Sequence, residues 1–181
     1  MASYDIKKWI AEHPEEERYK HQFLDKNQSK VLFDVGVRAG QVVLDFGCGS
    51  GVYAIPAAKL VGDKGRVYAL DLNSEFLDKV EQMAKEEGLT NIVRIDASMV
   101  MEIPLKNKTV DVMLLIDVLH LVKDREALFN EADRILKRGG LIVVYPMHVP
   151  EKEVEDLAAT RSFSFEDRMF QNYFLIFRKS S

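Results

Sequence analysis

A chain of 181 residues with 25 Lys and Arg against 29 Asp and Glu carries a net charge of −4 and a pI near 5.6. It has no global basic field to draw in nucleic acid or an anionic membrane, and no Lys/Arg-rich run that would make a local one. The single cysteine, Cys48, excludes an internal disulfide and any zinc site of several thiolates, and it fits a reducing compartment.

An apolar share of 47% and a charged share of 30% describe an ordinary globular domain. Folding at this length buries about 70% of the unfolded chain's surface. One domain over residues 1–181 is therefore expected, with a helical segment at 1–37 and a core at 38–181. No apolar run reaches membrane-spanning length, and M-A-S-Y-D-I-K-K lacks a signal-peptide core, so a cytoplasmic protein is expected.

Along the chain, Ile6, Trp9 and Ile10 fall at helical spacing, with Pro14 as a break after them. Glu15 to Lys26 predicts a second helix with Tyr19 and Phe23 on one face, and Val31, Leu32, Val35 and Val37 predict a third. Val42 to Gly51, V-V-L-D-F-G-C-G-S-G, is a short apolar strand running into three glycines on alternate positions, Gly47, Gly49 and Gly51. A helix over Val52–Val61 follows, Pro56 being tolerated near its start and Gly62 ending it.

Arg66 to Leu70 is a second strand that delivers Asp71 to its carboxyl end. Ser74 is expected to cap a helix with Phe76, Leu77, Val80, Met83 and Ala84 on its inner face, and Gly88 to stop it. Ile92, Val93 and Ile95 form a third strand ending at Asp96. The continuous apolar run Val110–Ile116 suits a parallel strand buried on both faces, with Asp117-Val-Leu-His120 at its end.

Asp124 caps a helix whose Leu128, Ala132, Ile135 and Leu136 face inward and which Gly139-Gly140 terminates. Leu141 to Tyr145 is a fifth strand, closed by Pro146, and Glu151 to Ala159 a short helix. Phe163–Phe170 and Tyr173–Phe177 pair as antiparallel strands. The alternation of strand and helix predicts an α/β layer sandwich around a mostly parallel sheet.

A buried strand that feeds a glycine turn is how such sheets build a nucleotide site. Asp45, two positions before Gly47, would repel a pyrophosphate but suits a cationic ligand. S-adenosylmethionine carries an ammonium and a sulfonium and no phosphate. Asp71, about 20 residues past the turn, is placed to accept both hydroxyls of a ribose. The dinucleotide pattern G-x-G-x-x-G fails from Gly47, where the last position is Val52; from Gly49, G-S-G-V-Y-A fits a relaxed form but leaves Asp45 unexplained.

V-L-D-F-G-C-G-S-G resembles the first motif of the class I S-adenosylmethionine-dependent methyltransferases, an acidic residue followed by G-x-G-x-G. The resemblance covers roughly Arg38 to Lys179. It implies a Rossmann-like three-layer sandwich whose seven-stranded sheet is mostly parallel, the last strand being antiparallel beside the fifth. It assigns the cofactor to Asp45, Gly47, Cys48, Gly49, Gly51, Asp71, Leu72, Asp96, Ala97 and Asp117. In I-D-A-S, Asp96 would accept from the adenine amino group, and the next backbone N–H would contact the ring. The N-terminal helices would either cover this site or only cap the sheet edge.

I-D-V-L-H is not the type of motif that stacks a flipped base; it is similar to the D-x-L-H of methyltransferases acting on small molecules. The implied partner is a small-molecule methyl acceptor, the protein being a monomer or homodimer. A cofactor-binding protein without catalysis stays open beside this, as does, more remotely, a nicotinamide-dependent oxidoreductase.

His120 and His148 follow neighbouring strands and are the candidate proton acceptors. Pro146-Met-His148 lacks the Asp-Asn pair of a magnesium site, so none is expected; a two-histidine metal site stays a weaker third option, because no third ligand is evident in the sequence, and no metal is assigned. Met99, Met101, Met113 and Met147 are candidate linings of an apolar pocket or core filler.

Overall fold

The computed structural model describes residues 11, 12, 14–97 and 102–181, so the expected helix at Ile6–Ile10, and Ser98, Met99 and Met101, lie outside the described residues. Among the described residues, the α-helices α1 (Pro14–Gln22) and α2 (Gln28–Asp34) precede the sheet, with a 3-10 turn at Leu24–Lys26 between them. α1 starts at Pro14, and proline suits such a first helical position because the N–H it lacks has no intrahelical partner anyway; the break expected before it lies outside the described residues.

The core alternates β1 (Val42–Phe46), α3 (Ala54–Val61), β2 (Arg66–Asp71), α4 (Ser74–Glu86), β3 (Ile92–Asp96), β4 (Val110–Ile116), α5 (Arg125–Ile135), β5 (Leu136–Tyr145), α6 (Glu151–Ala159), β6 (Phe163–Met169) and β7 (Phe174–Lys179). These strands form one seven-stranded sheet in the order β3-β2-β1-β4-β5-β7-β6, in which β7 alone runs against its neighbours.

Helices cover both faces. One core joins α2, α3 and α4 to the sheet through Leu32, Ala57, Leu77 and Val80, and the other joins α5 and α6 through Phe129, Ala132, Val154 and Ala158. Met113 and Met147 are both buried, Met113 in the second core and Met147 in the first.

Three boundaries differ from the sequence expectation. Asn73, not Ser74, caps α4, its side-chain oxygen accepting from Glu75 N–H at 2.9 Å. The helix after the glycine turn begins at Ala54, so Pro56 falls in its first turn, where no intrahelical donor is lost. Most consequentially, α5 ends at Ile135 and β5 begins at once with Leu136, five residues before Leu141. The glycines expected to stop a helix instead sit in a bulge: Val110 pairs with Leu136 and Val112 with Leu141, and the residues between loop out around Gly139 at φ 76°.

The chain runs outward from β1 to β3, then returns so that β4 lies beside β1. The carboxyl ends of β1 and β4 therefore flank a switch point, where the open sheet leaves a crevice. None of the helices among the described residues is long and apolar enough to cross a membrane.

Candidate functional site

At the end of β1 the backbone turns through Gly47 and Gly49, at φ 74° and 51°. Gly47 N–H and Cys48 N–H donate to the Leu70 carbonyl of β2, at 2.8 and 3.0 Å. A Cβ on Gly47 would stand 2.3 Å from Val118 Cγ2, so the absence of a side chain lets the turn close against the end of β4. A Cβ on Gly49 would meet nothing within 4 Å; that face is open for a ligand. Gly51, at φ 89°, donates to the Cys48 carbonyl and leads into α3.

Asp45 lies beneath this turn, 3% exposed. It accepts a hydrogen bond from Ala54 N–H, while its Oδ2 has no hydrogen-bond partner among the described residues. Burial, and secondarily the negative charge of Asp71, push its pKa up to about 7. Cys48 is also buried, and burial followed by the charges of Asp45 and Asp71 raises its thiol pKa far above the ordinary value, so it stays a neutral thiol.

Asp71 is half-buried, not on an exposed loop edge as its strand-end place suggests: Oδ2 accepts from Gly49 N–H at 2.8 Å and Oδ1 from Asn73 N–H at 2.9 Å. It ties the glycine turn to the end of β2, and each oxygen keeps a second lone pair. Leu72, next in line, is 70% exposed.

Asp96 is exposed at the end of β3, directly opposite Asp71 in the register. Arg94 holds it in a fork, Nε to Oδ2 at 2.7 Å and Nη2 to Oδ1 at 2.8 Å, and also reaches Asp78 on α4. The fork, first among its causes, lowers the Asp96 pKa. Arg94 and Asp96 are two apart on a strand and share a face, a pairing that alternation alone signals. Ala97 N–H donates to the Asp71 carbonyl at 3.0 Å.

Beyond β4, Asp117 takes the left-handed conformation, φ 53°, with its N–H on the Tyr145 carbonyl of β5. Its Oδ1 lies 3.6 Å from His120 Nδ1 and 3.4 Å from His148 Nε2. The two imidazoles meet edge to face, ring centroids 4.6 Å apart at 84°. The expected proximity of the two histidines is thus present, and the Asp117 carboxylate lies against both of them. His148 is buried. Burial, then the Arg125 cation, lowers the His120 pKa, which keeps that imidazole neutral.

Lys20 of α1 stands 3.8 Å from the other oxygen of Asp117. Tyr19 on the same helix and Phe23, just past its end, pack against Tyr173 and Phe170 at the β6–β7 turn, with ring centroids 5.4 and 6.1 Å apart. Of the two roles left open for the N-terminal helices, α1 therefore reaches the site.

Residues 44–144 match the family described as Methyltransferase domain. The chain belongs to this family. The methyltransferase domain is 28% identical over 134 residues to a Shewanella ubiquinone/menaquinone biosynthesis C-methyltransferase UbiE, and 31% identical over 152 residues to a Geobacillus demethylmenaquinone methyltransferase. These alignments take in 74% and 77% of this chain but 52% and 64% of the relatives, so the chain spans between half and two thirds of their length.

Among solved structures, a SAM-dependent methyltransferase from Aquifex aeolicus superposes with a TM-score of 0.74 at 25% identity, over 86% of this chain and 90% of that one. The [4+2]-cyclase SpnF shares the fold at a TM-score of 0.72 and 15% identity, over 86% of this chain and 81% of that one.

Proposed function

We propose that this methyltransferase domain binds S-adenosylmethionine at the β1–β4 crevice and transfers its methyl group to a small-molecule acceptor. The observation that carries the reading is Asp45: a buried carboxylate oxygen with no donor among the described residues, beside a glycine turn whose outer face is open. An ammonium group fits that oxygen, whereas the pyrophosphate of a dinucleotide would face a negative charge.

When bound, the cofactor supplies an electrophilic methyl group on sulfur. Asp45 and the Gly47–Cys48–Gly49 backbone hold its amino-acid end, with Gly51 shaping the exit of the turn. The remaining lone pairs of Asp71 take the ribose hydroxyls, and Leu72 offers an apolar surface to the nucleoside. Asp96 and the Ala97 segment lie where the adenine would end, Asp96 accepting from its amino group beside the Arg94 fork. Asp117, with His120 and His148, supplies lone pairs on the acceptor side of the crevice, and Lys20 closes that side.

Methyl transfer is an in-line displacement to which orientation contributes much, so a rigid cradle with an adjacent polar cluster is a sufficient framework. The free thiol of Cys48 fits a reducing, cytoplasmic setting.

Calorimetry with S-adenosylhomocysteine and, separately, NAD tests the binding half; labelled methyl transfer to a metabolite panel tests the catalytic half. Because two relatives are named for quinone biosynthesis, demethylmenaquinone belongs in the first panel. Binding of NAD but not S-adenosylhomocysteine would overturn the reading, and binding without turnover of any acceptor would leave a cofactor-binding protein.

A further inference from the structure

The Asp117, His120 and His148 side chains each present one donor atom, and the three atoms lie within 4.8 Å of one another. Two imidazole nitrogens and one carboxylate oxygen form a donor set suited to a first-row divalent cation and poorly suited to magnesium or calcium, which take oxygen shells.

The spacing is also close to what coordination needs. Nitrogen and oxygen ligands about 2.0–2.2 Å from a tetrahedral zinc stand roughly 3.3–3.6 Å from one another. The two edges that share Asp117 Oδ1 measure 3.6 Å to His120 and 3.4 Å to His148.

The surroundings support the donors. Asp117 is fixed by its N–H bond to Tyr145 and by Lys20 beside its second oxygen, the kind of outer contact that orients a metal ligand. His148 is sheltered from solvent, and both histidines leave the carboxyl ends of adjacent strands, so the framework is rigid.

We propose that Asp117, His120 and His148 form a binding site for a divalent transition cation such as zinc or iron(II), with an open position for an oxygen or sulfur donor of the acceptor. Three protein ligands with a vacant fourth place is the pattern of catalytic rather than structural zinc. The cation site stands on its own geometry; the assignment of its open position to the acceptor rests on the methyl-transfer reading. With a cation bound, the imidazole lone pairs would be committed to it; the cation would lower the pKa of a ligated acceptor hydroxyl or thiol, whose proton would leave to solvent water instead of to a histidine base before the methyl group is taken up.

The test uses the full chain, stripped with a chelator and titrated with zinc alone by calorimetry, and with cobalt(II) followed by visible absorption. The expected result is one ion per chain, a zinc-dependent rise in melting temperature, and a cobalt spectrum of low coordination number. His148→Ala and, as a variant on a more exposed turn, His120→Ala should each weaken zinc at least about 100-fold while circular dichroism shows the fold intact.

Absence of a stoichiometric ion in the wild-type chain, or unchanged zinc affinity in both variants, would overturn the proposal. S-adenosylhomocysteine is titrated into the same preparations. Its binding without zinc ends the metal site and spares the cofactor reading; zinc without S-adenosylhomocysteine does the reverse.

Discussion

Asp71 accepts the Gly49 N–H at 2.8 Å, so the residue proposed to hold the ribose also holds the turn that carries the cofactor's other end. Its second oxygen accepts from Asn73 N–H, the residue that caps α4. Asp71→Ala is expected to lower S-adenosylhomocysteine affinity by a charge-assisted contact, about 1.5–3 kcal/mol or roughly 10- to 150-fold. It should also lower the melting temperature of the ligand-free chain, because two backbone donors lose their acceptor. Calorimetry and thermal unfolding of the same variant check both; unchanged affinity would place the ribose elsewhere.

Gly47 and Gly49 share a left-handed backbone but differ in what a side chain would meet, so they separate steric from conformational cost. Gly47→Ala drives a methyl into Val118, which stands 2.3 Å from the ideal Cβ position, and should cost about 2 kcal/mol or more. Adding Val118→Ala should recover most of the steric share, Val118 Cβ still standing 3.0 Å away, and leave the backbone strain. Gly49→Ala meets no neighbour and should cost about 1 kcal/mol of stability, yet reduce S-adenosylhomocysteine affinity by filling the open face. Equal stability losses in the two single variants would show that the Val118 contact is irrelevant.

Strand ends were legible because their signals are local: glycines after β1, and acidic residues closing β1, β2 and β3, fall at fixed places in an alternating pattern. The family resemblance and the fold followed from those. What the sequence hid is long-range or ambiguous. Asp117 and His148 are brought to 3.4 Å only by the pairing of β4 with β5, and Lys20 reaches Asp117 only because α1 packs on the β6–β7 turn beside the end of β4. Gly139-Gly140 carries the same chemistry in a bulge as in a helix stop, so the early start of β5 had no distinguishing mark.

The docking of α1 rests on an aromatic chain: Tyr173 lies 5.4 Å from Tyr19 of the helix and 6.3 Å from Tyr145 at the end of β5. Tyr173→Ala should remove about 1–2 kcal/mol of ring packing and lower the melting temperature by roughly 2–8 °C. The loss should be uneven, with limited proteolysis cutting first in Pro14–Gln22 while the sheet survives. Cleavage unchanged from the wild type would mean that Leu24, Val31 and Leu32, all fully buried, hold the segment without the rings.

The pKa of Asp45 gives the site a pH dependence with a definite sign. The carboxyl titrates at about 7 in the folded chain, raised first by burial and then by Asp71, against an ordinary 3.8. Below the ordinary value it is protonated in folded and unfolded chains alike and costs nothing. Between the two values the unfolded chain is ionised while the folded chain keeps its proton, so stability falls as pH rises. Above about 7 both are ionised and the penalty, a few kcal/mol, remains in full.

A cationic ligand reverses the balance, because an ammonium against Oδ2 favours the ionised carboxylate. S-adenosylhomocysteine binding should therefore release a proton and tighten by up to about tenfold per pH unit between 6 and 7, then level off. Asp45→Asn should flatten both curves, being more stable than the wild type at pH 8 without ligand yet binding the ligand more weakly. Calorimetry across pH, in buffers of different ionisation enthalpy, reads the proton directly. A wild-type affinity that is flat from pH 6 to 8, with no proton released, would mean that Asp45 does not meet the ammonium.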